Sequence, residues 1–334
     1  MAEVVLSGLS KNFGSTEAVR DVSMTIPDGA FVVMLGPTGA GKTTTLRLIA
    51  GLERPDAGRI LIGGRDVVSA TPAQRNVAMV FQQYSLYPHL TVRENLAFPL
   101  KSPLSTTPPQ EIEKRINEVA SVLQIAHKLD NRATALSGGE MQRVSIGRAL
   151  VRKPHIYLMD EPLSSLDAKL RADLRLELKR IHADLGATLL YVTHDQIEAM
   201  TMATHIGVLD EGRLVQFGSP REIYENPSSL YVATRLGQPR INTLPASIFG
   251  AAPAGAEIVG LRPEHIFIGE GREAKVTRVE HLGDQTRLHL SLDGHSIVTL
   301  TDPHTHLAVD DHVSVRPKDP LYFSANGARL VQGA

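Results

Sequence analysis

The sequence predicts an α/β domain over residues 1–235 and a small all-β domain over residues 236–334. In the first part, apolar runs typical of buried strands alternate with helical patterns, and a glycine-rich turn joins one such strand to a helix. Short stretches of alternating polarity dominate the second part. With 334 residues, 42% of them hydrophobic, the chain can bury a core in each domain.

The composition weakens two binding hypotheses and excludes two kinds of site. The 35 basic and 36 acidic side chains give a formal net charge of -1, which supplies no bulk attraction to nucleic acid or to an anionic membrane. The absence of cysteine excludes disulfides and thiolate metal sites. Neither a signal peptide nor a run of ~20 apolar residues is recognisable, so we expect a cytoplasmic chain that serves any membrane process by docking.

Two stretches near the N-terminus, residues 4–8 and 22–26, alternate apolar and polar side chains and predict antiparallel strands. We expect their connecting turn near Asn12-Phe13-Gly14, which places Phe13 in a loop. A loop aromatic is suited to stack on an adenine ring or to pack on the sheet. Spacing alone favours packing on the sheet.

A glycine-rich turn separates the apolar run at residues 31–35 from the helical pattern at residues 44–50. It fits G-x-x-x-x-G-K-[ST] and reads Gly36-Pro37-Thr38-Gly39-Ala40-Gly41-Lys42-Thr43-Thr44. Glycines let backbone N–H groups point at a polyphosphate, and the helix N-terminus adds positive charge. We expect Lys42 between the β- and γ-phosphates and the Thr43 hydroxyl at a magnesium ion. The alternative is an ordinary strand-to-helix turn.

Residues 84–150 are predicted to form a helical subdomain inserted between strands. Thr91 and Glu94 fit a capping box at the start of one helix. The adaptable segment at residues 82–90 begins with Gln82 and contains two tyrosines. It is suited to receive a helix of a partner protein, and packing against the core is the alternative.

A second glycine-rich motif, Leu136-Ser137-Gly138-Gly139-Glu140, opens the last helix of this region. Ser137 and Glu140 fit a capping box, which gives a purely structural account of the motif. Two glycines beside a helix N-terminus equally permit close approach of the backbone to an anion. The motif alone leaves both interpretations open.

The apolar strand predicted over residues 156–160 ends in two acids, Asp160 and Glu161. We expect Asp160 to hold magnesium through its water shell and Glu161 to orient or deprotonate an attacking water. Two solvated acids at a strand end are the structural alternative. Asp167 precedes a long charged helix, and a further strand ends at His194, which suits a γ-phosphate contact or a surface position equally well.

Alternation and turn residues predict the remaining elements. A hairpin over residues 206–217, a short helix at 220–224 and a linker near 236–240 come first. Strands over residues 275–281, 286–292, 295–300 and 312–316 then predict an open barrel. Most of the five histidines of this region are expected to face solvent rather than bind a metal; they are His281, His289, His295, His304 and His306.

In their order along residues 1 to about 235, the motifs resemble those of the ATP-binding subunit of ATP-binding-cassette (ABC) transporters. The resemblance implies a P-loop NTPase of the ABC type that hydrolyses ATP with Mg2+. It implies that Phe13 stacks on adenine, and that Gln82 and His194 join Glu161 in catalysis. The nucleotide contacts implied beyond the phosphate loop are Ser137, Gly138, Gly139, Glu140 and Asp167, and those at the metal are Thr43, Gln82 and Asp160.

The tail resembles the extra C-terminal domain of carbohydrate-importer ATPases of the maltose and glycerol-phosphate type, through Gly260-Leu261-Arg262-Pro263-Glu264-His265-Ile266. This implies a small OB-like (TOBE-type) regulatory domain. It also implies that ATP hydrolysis powers import of a carbohydrate or a related polyol or sugar derivative. Glu140 departs from the family, which usually has Gln there, and a modest effect on turnover is expected.

The resemblance further implies a set of partners. We expect a homodimer, or a heterodimer with a close paralogue, in which two ATP molecules lie between the subunits. Two transmembrane permease subunits are expected to dock near residues 82–90, with a periplasmic solute-binding protein acting indirectly and no nucleic acid. The chain is then peripheral, on the cytoplasmic face of the inner membrane. A soluble ABC ATPase acting on nucleic acid or ribosomes and a GTPase-type switch are the alternatives.

Overall fold

The computed structural model describes residues 2–101 and 107–330. The chain divides between Pro220 and Arg221 into two compact units. The domain boundary near residue 235 stays a prediction. Met1, residues 102–106 of the predicted helical subdomain and residues 331–334 of the predicted second domain lie outside the described residues.

The first unit combines strands and helices. Its strands are β1 (Val4–Phe13), β2 (Thr16–Ile26), β3 (Phe31–Leu35), β4 (Ala57–Ile62), β5 (Arg65–Asp66), β6 (Val77–Val80), β7 (Ile156–Asp160), β8 (Leu189–Thr193), β9 (His205–Asp210) and β10 (Arg213–Gly218). Its helices are α1 (Lys42–Ala50), α2 (Val92–Ala97), α3 (Pro109–Val122), α4 (Gly138–Leu150), α5 (Ala168–Leu185) and α6 (Gln196–Met202). The α/β class predicted for this part of the chain is confirmed.

A six-stranded sheet in the order β10-β9-β3-β8-β7-β6 forms the centre of the first unit. Strands β6, β7, β8, β3 and β9 are parallel, and β10 pairs antiparallel with β9 as the predicted hairpin. All residues of β3, β7 and β8 are buried, which explains their continuous apolar sequences. In the register, Leu35 pairs with Thr193 and Asp160 with Val192. The loops that follow these three strands therefore begin at one edge of the sheet.

An antiparallel sheet in the order β2-β1-β4-β5 accompanies the central sheet. Its first two strands are longer than predicted, because register shifts between Leu6 and Asn12 interrupt the simple alternation that the prediction relied on. The loop position predicted for Phe13 is wrong, since Phe13 is the last residue of β1 and pairs with Thr16. The turn follows at Gly14, whose φ of 59° suits a glycine.

Helices α2, α3 and α4 lie in the region predicted to be helical. Thr91 caps α2 in the predicted capping box with Glu94. Ser137 caps α4 in the same way with Glu140, so the structural role considered for that motif is present in the fold. No helix in the described part of the chain is long and apolar enough to cross a membrane.

A buried arginine stabilises the end of α1. The Arg75 side chain is only 2% exposed and donates to four carbonyl oxygens, those of Leu48, Ile49, Val68 and Ala70. The first two belong to the last turn of α1, where helix carbonyls lack partners within the helix. Arg75 thereby fixes the helix that begins at Lys42.

The second unit consists of two short helices and two antiparallel four-stranded sheets. Its helices are α7 (Pro220–Glu225), which begins at the last residue of the first unit, and α8 (Leu230–Arg235). Its strands are β11 (Asn242–Pro245), β12 (Ile258–Leu261), β13 (Ile266–His281), β14 (Thr286–Leu292), β15 (His295–Thr301), β16 (His312–Pro317), β17 (Leu321–Phe323) and β18 (Arg329–Leu330). The sheet orders are β11-β12-β17-β18 and β15-β14-β13-β16.

The four strands predicted for this unit are present, and β14 has the predicted bounds. The prediction missed β11, β12, β17 and β18, which have only two to four residues each and too few alternations to recognise. Among the histidines, His281 hydrogen-bonds Thr286 and His289 lies near Glu280. Within residues 2–101 and 107–330, no three His, Asp or Glu side chains cluster as metal ligands.

Candidate active site

The turn between β3 and α1 has the backbone that its glycines permit. Gly39 and Gly41 have φ of 83° and 92°, a region that L-residues other than glycine rarely occupy. Gly36 and Gly41 also lie against neighbouring backbone, because a Cβ would lie 2.6 Å from the oxygen of Leu209 or 2.3 Å from that of Ala18. The turn is thus closely packed at Gly36 and Gly41 and open at Gly39, where a Cβ would meet nothing within 4 Å.

Lys42 begins α1 and is only 5% exposed. Its Nζ donates to the carbonyl oxygens of Gly36 and Pro37 at 2.9 and 3.0 Å and lies 3.8 Å from Glu161 Oε1. Burial lowers the pKa of Lys42, and the charges of Glu161 and Asp160 oppose that shift. The ammonium is therefore held inside the turn, where the negative charge of a polyphosphate would replace the stabilisation by water that burial removes.

Thr43 and Asp160 are brought into direct contact. The Thr43 hydroxyl donates to Asp160 Oδ1 at 2.8 Å, although the two residues are 117 positions apart. Burial raises the pKa of Asp160, and the hydrogen bond from Thr43 partly opposes this. A hydroxyl oxygen beside a carboxylate oxygen is the kind of hard donor pair that Mg2+ prefers, so these residues fit the predicted metal.

Glu161 follows β7 in a sparsely populated backbone conformation, with φ of 42°. Its N–H donates to the Val192 oxygen at 3.0 Å, and Ser164 Oγ donates to the Glu161 carbonyl at 2.9 Å. A backbone conformation of this kind costs on the order of 1–3 kcal/mol, and here these hydrogen bonds hold it in place. Such conformations are common at functional sites. The two carboxylate oxygens of Glu161 have different neighbours. Oε2 lies 3.3 Å from His194 Nδ1, and Oε1 faces Lys42.

A buried network behind His194 was missed by the sequence analysis. The Glu198 carboxylate accepts hydrogen bonds from Thr193 Oγ1 at 2.6 Å and from Tyr191 at 2.9 Å. Glu198 is only 3% exposed, and burial raises its pKa. Asp195 caps α6 by accepting from the N–H groups of Ile197 and Glu198. Together these bonds fix the end of β8 from which His194 projects.

The second glycine-rich motif forms a separate group. Ser137 and Glu140 hydrogen-bond each other at the start of α4. A Cβ on Gly139 would lie 2.2 Å from Leu170 of α5, which explains the small residue there. Asp167 caps α5 by accepting from the N–H of Leu170. Within the described residues, no hydrogen bond or ion pair joins residues 137–140 to Lys42, Glu161 or His194.

Two predicted site residues remain apart from both groups. Gln82 follows β6 at the same edge of the sheet as Glu161, and its exposed side chain makes no hydrogen bond or ion pair with any residue the structure describes. Phe13 is 47% exposed, with Lys11 Nζ 5.3 Å from its ring centroid. Their predicted roles stay predictions.

The geometry suits the binding of a triphosphate and transfer of its terminal phosphoryl group to water. A buried ammonium, an oxygen pair for a metal and a carboxylate beside a histidine converge at one sheet edge. These are the parts that phosphoryl transfer needs: charge stabilisation, a metal and a residue to orient water.

The sequence matches the ABC transporter family over residues 19–164 and the TOBE domain family over residues 259–320. It is 44% identical over 320 residues to the maltose/maltodextrin import ATP-binding protein MalK of Yersinia pestis, covering 87% of this chain and 86% of that protein. It is also 44% identical over 351 residues to the sn-glycerol-3-phosphate import ATP-binding protein UgpC of Brucella abortus, covering 99% of each.

Solved structures give the same picture for the first part of the chain. The dimeric bacterial ABC transporter cassette MJ0796 has a TM-score of 0.59 at 30% identity and covers 65% of this chain and 99% of that one. The cbiO1 subunit of an ABC transporter complex from Clostridium perfringens has a TM-score of 0.62 at 27% identity, with 67% and 90% covered.

The buried Glu198 predicts a dependence of stability on pH. Its folded pKa is raised above the ordinary 4.5, so the folded chain holds the proton to higher pH than the unfolded chain. Its contribution to the free energy of unfolding is therefore greatest below pH 4.5 and is lost as pH rises through the folded pKa. We expect Glu198→Gln, which stays neutral, to become increasingly stable relative to the wild type as pH rises through this window.

Thermal unfolding of both proteins across this pH range measures the difference. Glu118→Gln, at an exposed position of α3, is the matched control and should show no such trend. A difference between Glu198→Gln and wild type that is constant with pH would contradict the account of the network.

Proposed function

Because this chain belongs to the import ATP-binding proteins of the ABC transporter family, we propose that it hydrolyses ATP to power import of a carbohydrate or related polyol or sugar derivative through a partner permease. The observation that carries the proposal is the convergence of Lys42, the Thr43–Asp160 pair and the Glu161–His194 pair at one sheet edge.

Residues of the first unit have distinct roles in the proposed reaction. The phosphate loop, residues 36–44, wraps the polyphosphate with its backbone N–H groups, and Lys42 neutralises charge on the β- and γ-phosphates. Thr43 and Asp160 hold Mg2+, Asp160 partly through water, with Gln82 as a further ligand. When bound, Mg2+ offsets the charge that develops on the phosphate oxygens. Phe13 stacks on the adenine, which its exposure permits.

Glu161 acts as the residue that orients and deprotonates the attacking water. Its fixed backbone and its contacts with Lys42 and His194 support this role, since a general base must be held within reach of its proton. His194 acts as the switch histidine, and its side chain is 59% exposed and so accessible to a γ-phosphate. The bonds to Glu198 keep the strand end beneath it in place.

Two copies of the chain, or one copy with a close paralogue, complete each site. Within the described part of one chain, no hydrogen bond or ion pair joins residues 137–140 to Lys42, which supports a shared site, in which Ser137, Gly138 and Gly139 of one subunit cover the γ-phosphate held by the other. Glu140 and Asp167 are the further residues proposed to contact the shared nucleotide. In a two-fold arrangement of this kind, both subunits contribute the same surface to the interface. ATP then favours the closed dimer, and hydrolysis removes the contacts that kept it closed.

The permease subunits dock near residues 82–90, beside the sheet edge that holds the nucleotide. Tyr84 contacts Ser165 next to Asp167, and Arg148 lies 4.9 Å from the ring centroid of Tyr87. These contacts link the docking segment to α4, which begins at Gly138, and to the loop between Glu161 and Asp167, which supports a mechanical connection between nucleotide and permease. The subunit is peripheral on the cytoplasmic face of the membrane, a solute-binding protein acts outside, and residues 236–334 form the regulatory domain.

Glu161 is the proposed general base. We expect Glu161→Gln to slow ATP hydrolysis roughly 10²-fold or more while ATP binding is retained, because general-base assistance contributes ~10²- to 10⁴-fold. Phosphate release by the purified chain and equilibrium binding of a fluorescent ATP analogue measure the two effects.

Lys42→Ala is the comparison variant, because it removes the cation that binds phosphate and should weaken both binding and hydrolysis. Near-normal turnover of Glu161→Gln would contradict the assigned base. Undiminished nucleotide binding by Lys42→Ala would contradict the phosphate loop.

A solute of the proposed class should stimulate ATP hydrolysis by the assembled transporter. In a complex of this chain with its permease, reconstituted in membranes together with the solute-binding protein, ATP hydrolysis should rise when a sugar or a polyol derivative of the correct kind is added. ATPase rates over a panel of such solutes measure this. Stimulation by nucleic acid or ribosomes, with none by any sugar or polyol, would favour a soluble ABC ATPase instead.

A further inference from the structure

The hydroxyl of Ser137 is already engaged by a neighbouring carboxylate. Ser137 Oγ donates to Glu140 Oε2 at 2.9 Å, and the Ser137 backbone N–H donates to the same oxygen at 2.8 Å. A serine hydroxyl has a single proton to donate. Ser137 must therefore release Glu140 before it can donate that proton to a phosphate oxygen.

The other oxygen of Glu140 is held by a lysine that no motif includes. Lys128 Nζ lies 3.0 Å from Glu140 Oε1, and about a quarter of each side chain is exposed. Lys128 ends the single 3₁₀ turn Ala126–Lys128, so it reaches the start of α4 from a separate element. Hydrogen bonds from the Ser137 N–H and from Lys128 lower the pKa of Glu140 to about 2, so Glu140 is a carboxylate at every physiological pH.

A carboxylate at this position carries an electrostatic cost if ATP binds here. The γ-phosphate contacted by Ser137 would lie close to the charge of Glu140, and two anions at short range repel each other. A neutral Gln would impose no such repulsion. Lys128 supplies the opposite charge on the side of Glu140 away from the Ser137 bond.

We propose that Lys128 is a positioning residue for the shared ATP site: it holds the Glu140 carboxylate and offsets its charge, so that Ser137 can turn its hydroxyl to the γ-phosphate bound by the other subunit. The inference rests on the proposed function, because it requires the shared site. Lys128 touches neither ATP nor metal and acts only through Glu140. Its importance therefore depends on which residue occupies position 140.

This dependence gives a specific test with the full-length purified chain and ATP. We expect Lys128→Met to raise the ATP concentration for half-maximal hydrolysis about three- to tenfold, with less effect at high salt, where exposed charges are screened. In the Glu140→Gln background the same substitution should change it by less than about twofold. Lys128→Arg should keep the wild-type value, because it restores the charge.

Lys114→Met, which removes an exposed charge from α3, is the matched control and should behave as the wild type. An equal effect of Lys128→Met in the wild-type and Glu140→Gln backgrounds, or a lowered unfolding temperature with no change in ATP dependence, would overturn the inference and leave Lys128 a purely structural residue.

The Glu161→Gln variant distinguishes failure of this inference from failure of the proposed function. If it is slow while the Lys128 variants show no coupling to position 140, the proposed function stands and the inference fails. If the wild type does not hydrolyse ATP, both fail.

Discussion

The parallel register of β3, β7 and β8 is the constraint on which the site depends. It starts the loops after Leu35, Asp160 and Thr193 at one edge, and thus brings residues from three distant parts of the sequence within hydrogen-bond range. The three strands are wholly buried, so a shift of register would disrupt the packing on both faces of the sheet as well as separate the site residues. Stability of the core and geometry of the site are here the same requirement.

The charges at this edge are balanced only in part. One buried ammonium, Lys42, faces the two carboxylates of Asp160 and Glu161, and burial disfavours the charged form of both Lys42 and Asp160. A polyphosphate with magnesium would bring both an anion for Lys42 and a cation for Asp160. The proposed ligand would therefore satisfy the buried charges of this site better than the chain does by itself.

Local patterns predicted much of the fold and of the candidate site. The bounds of β3 and β14 followed from an apolar run and a clean alternation, and the phosphate loop followed from its glycines and Lys42. Bulges hid the true length of β1, and with it the position of Phe13. The contacts of Glu198 and of Lys128 with Glu140 join separate elements, so no spacing within one stretch of sequence could reveal them. These partners lie far apart in the sequence, so they could be identified only from the folded structure.

The central claim is that two subunits share each nucleotide, and proximity across the dimer tests it most directly. The chain contains no cysteine, so single cysteines can be introduced cleanly. One Glu161→Gln subunit carries Thr38→Cys, at an exposed position of the phosphate loop, and a second, differently tagged Glu161→Gln subunit carries Ser137→Cys. The two subunits are mixed, and a short thiol cross-linker is added. The account predicts a mixed cross-linked dimer that forms with ATP and Mg2+ and is absent without nucleotide. Absence of that product under both conditions, while each subunit binds ATP, would contradict the shared site.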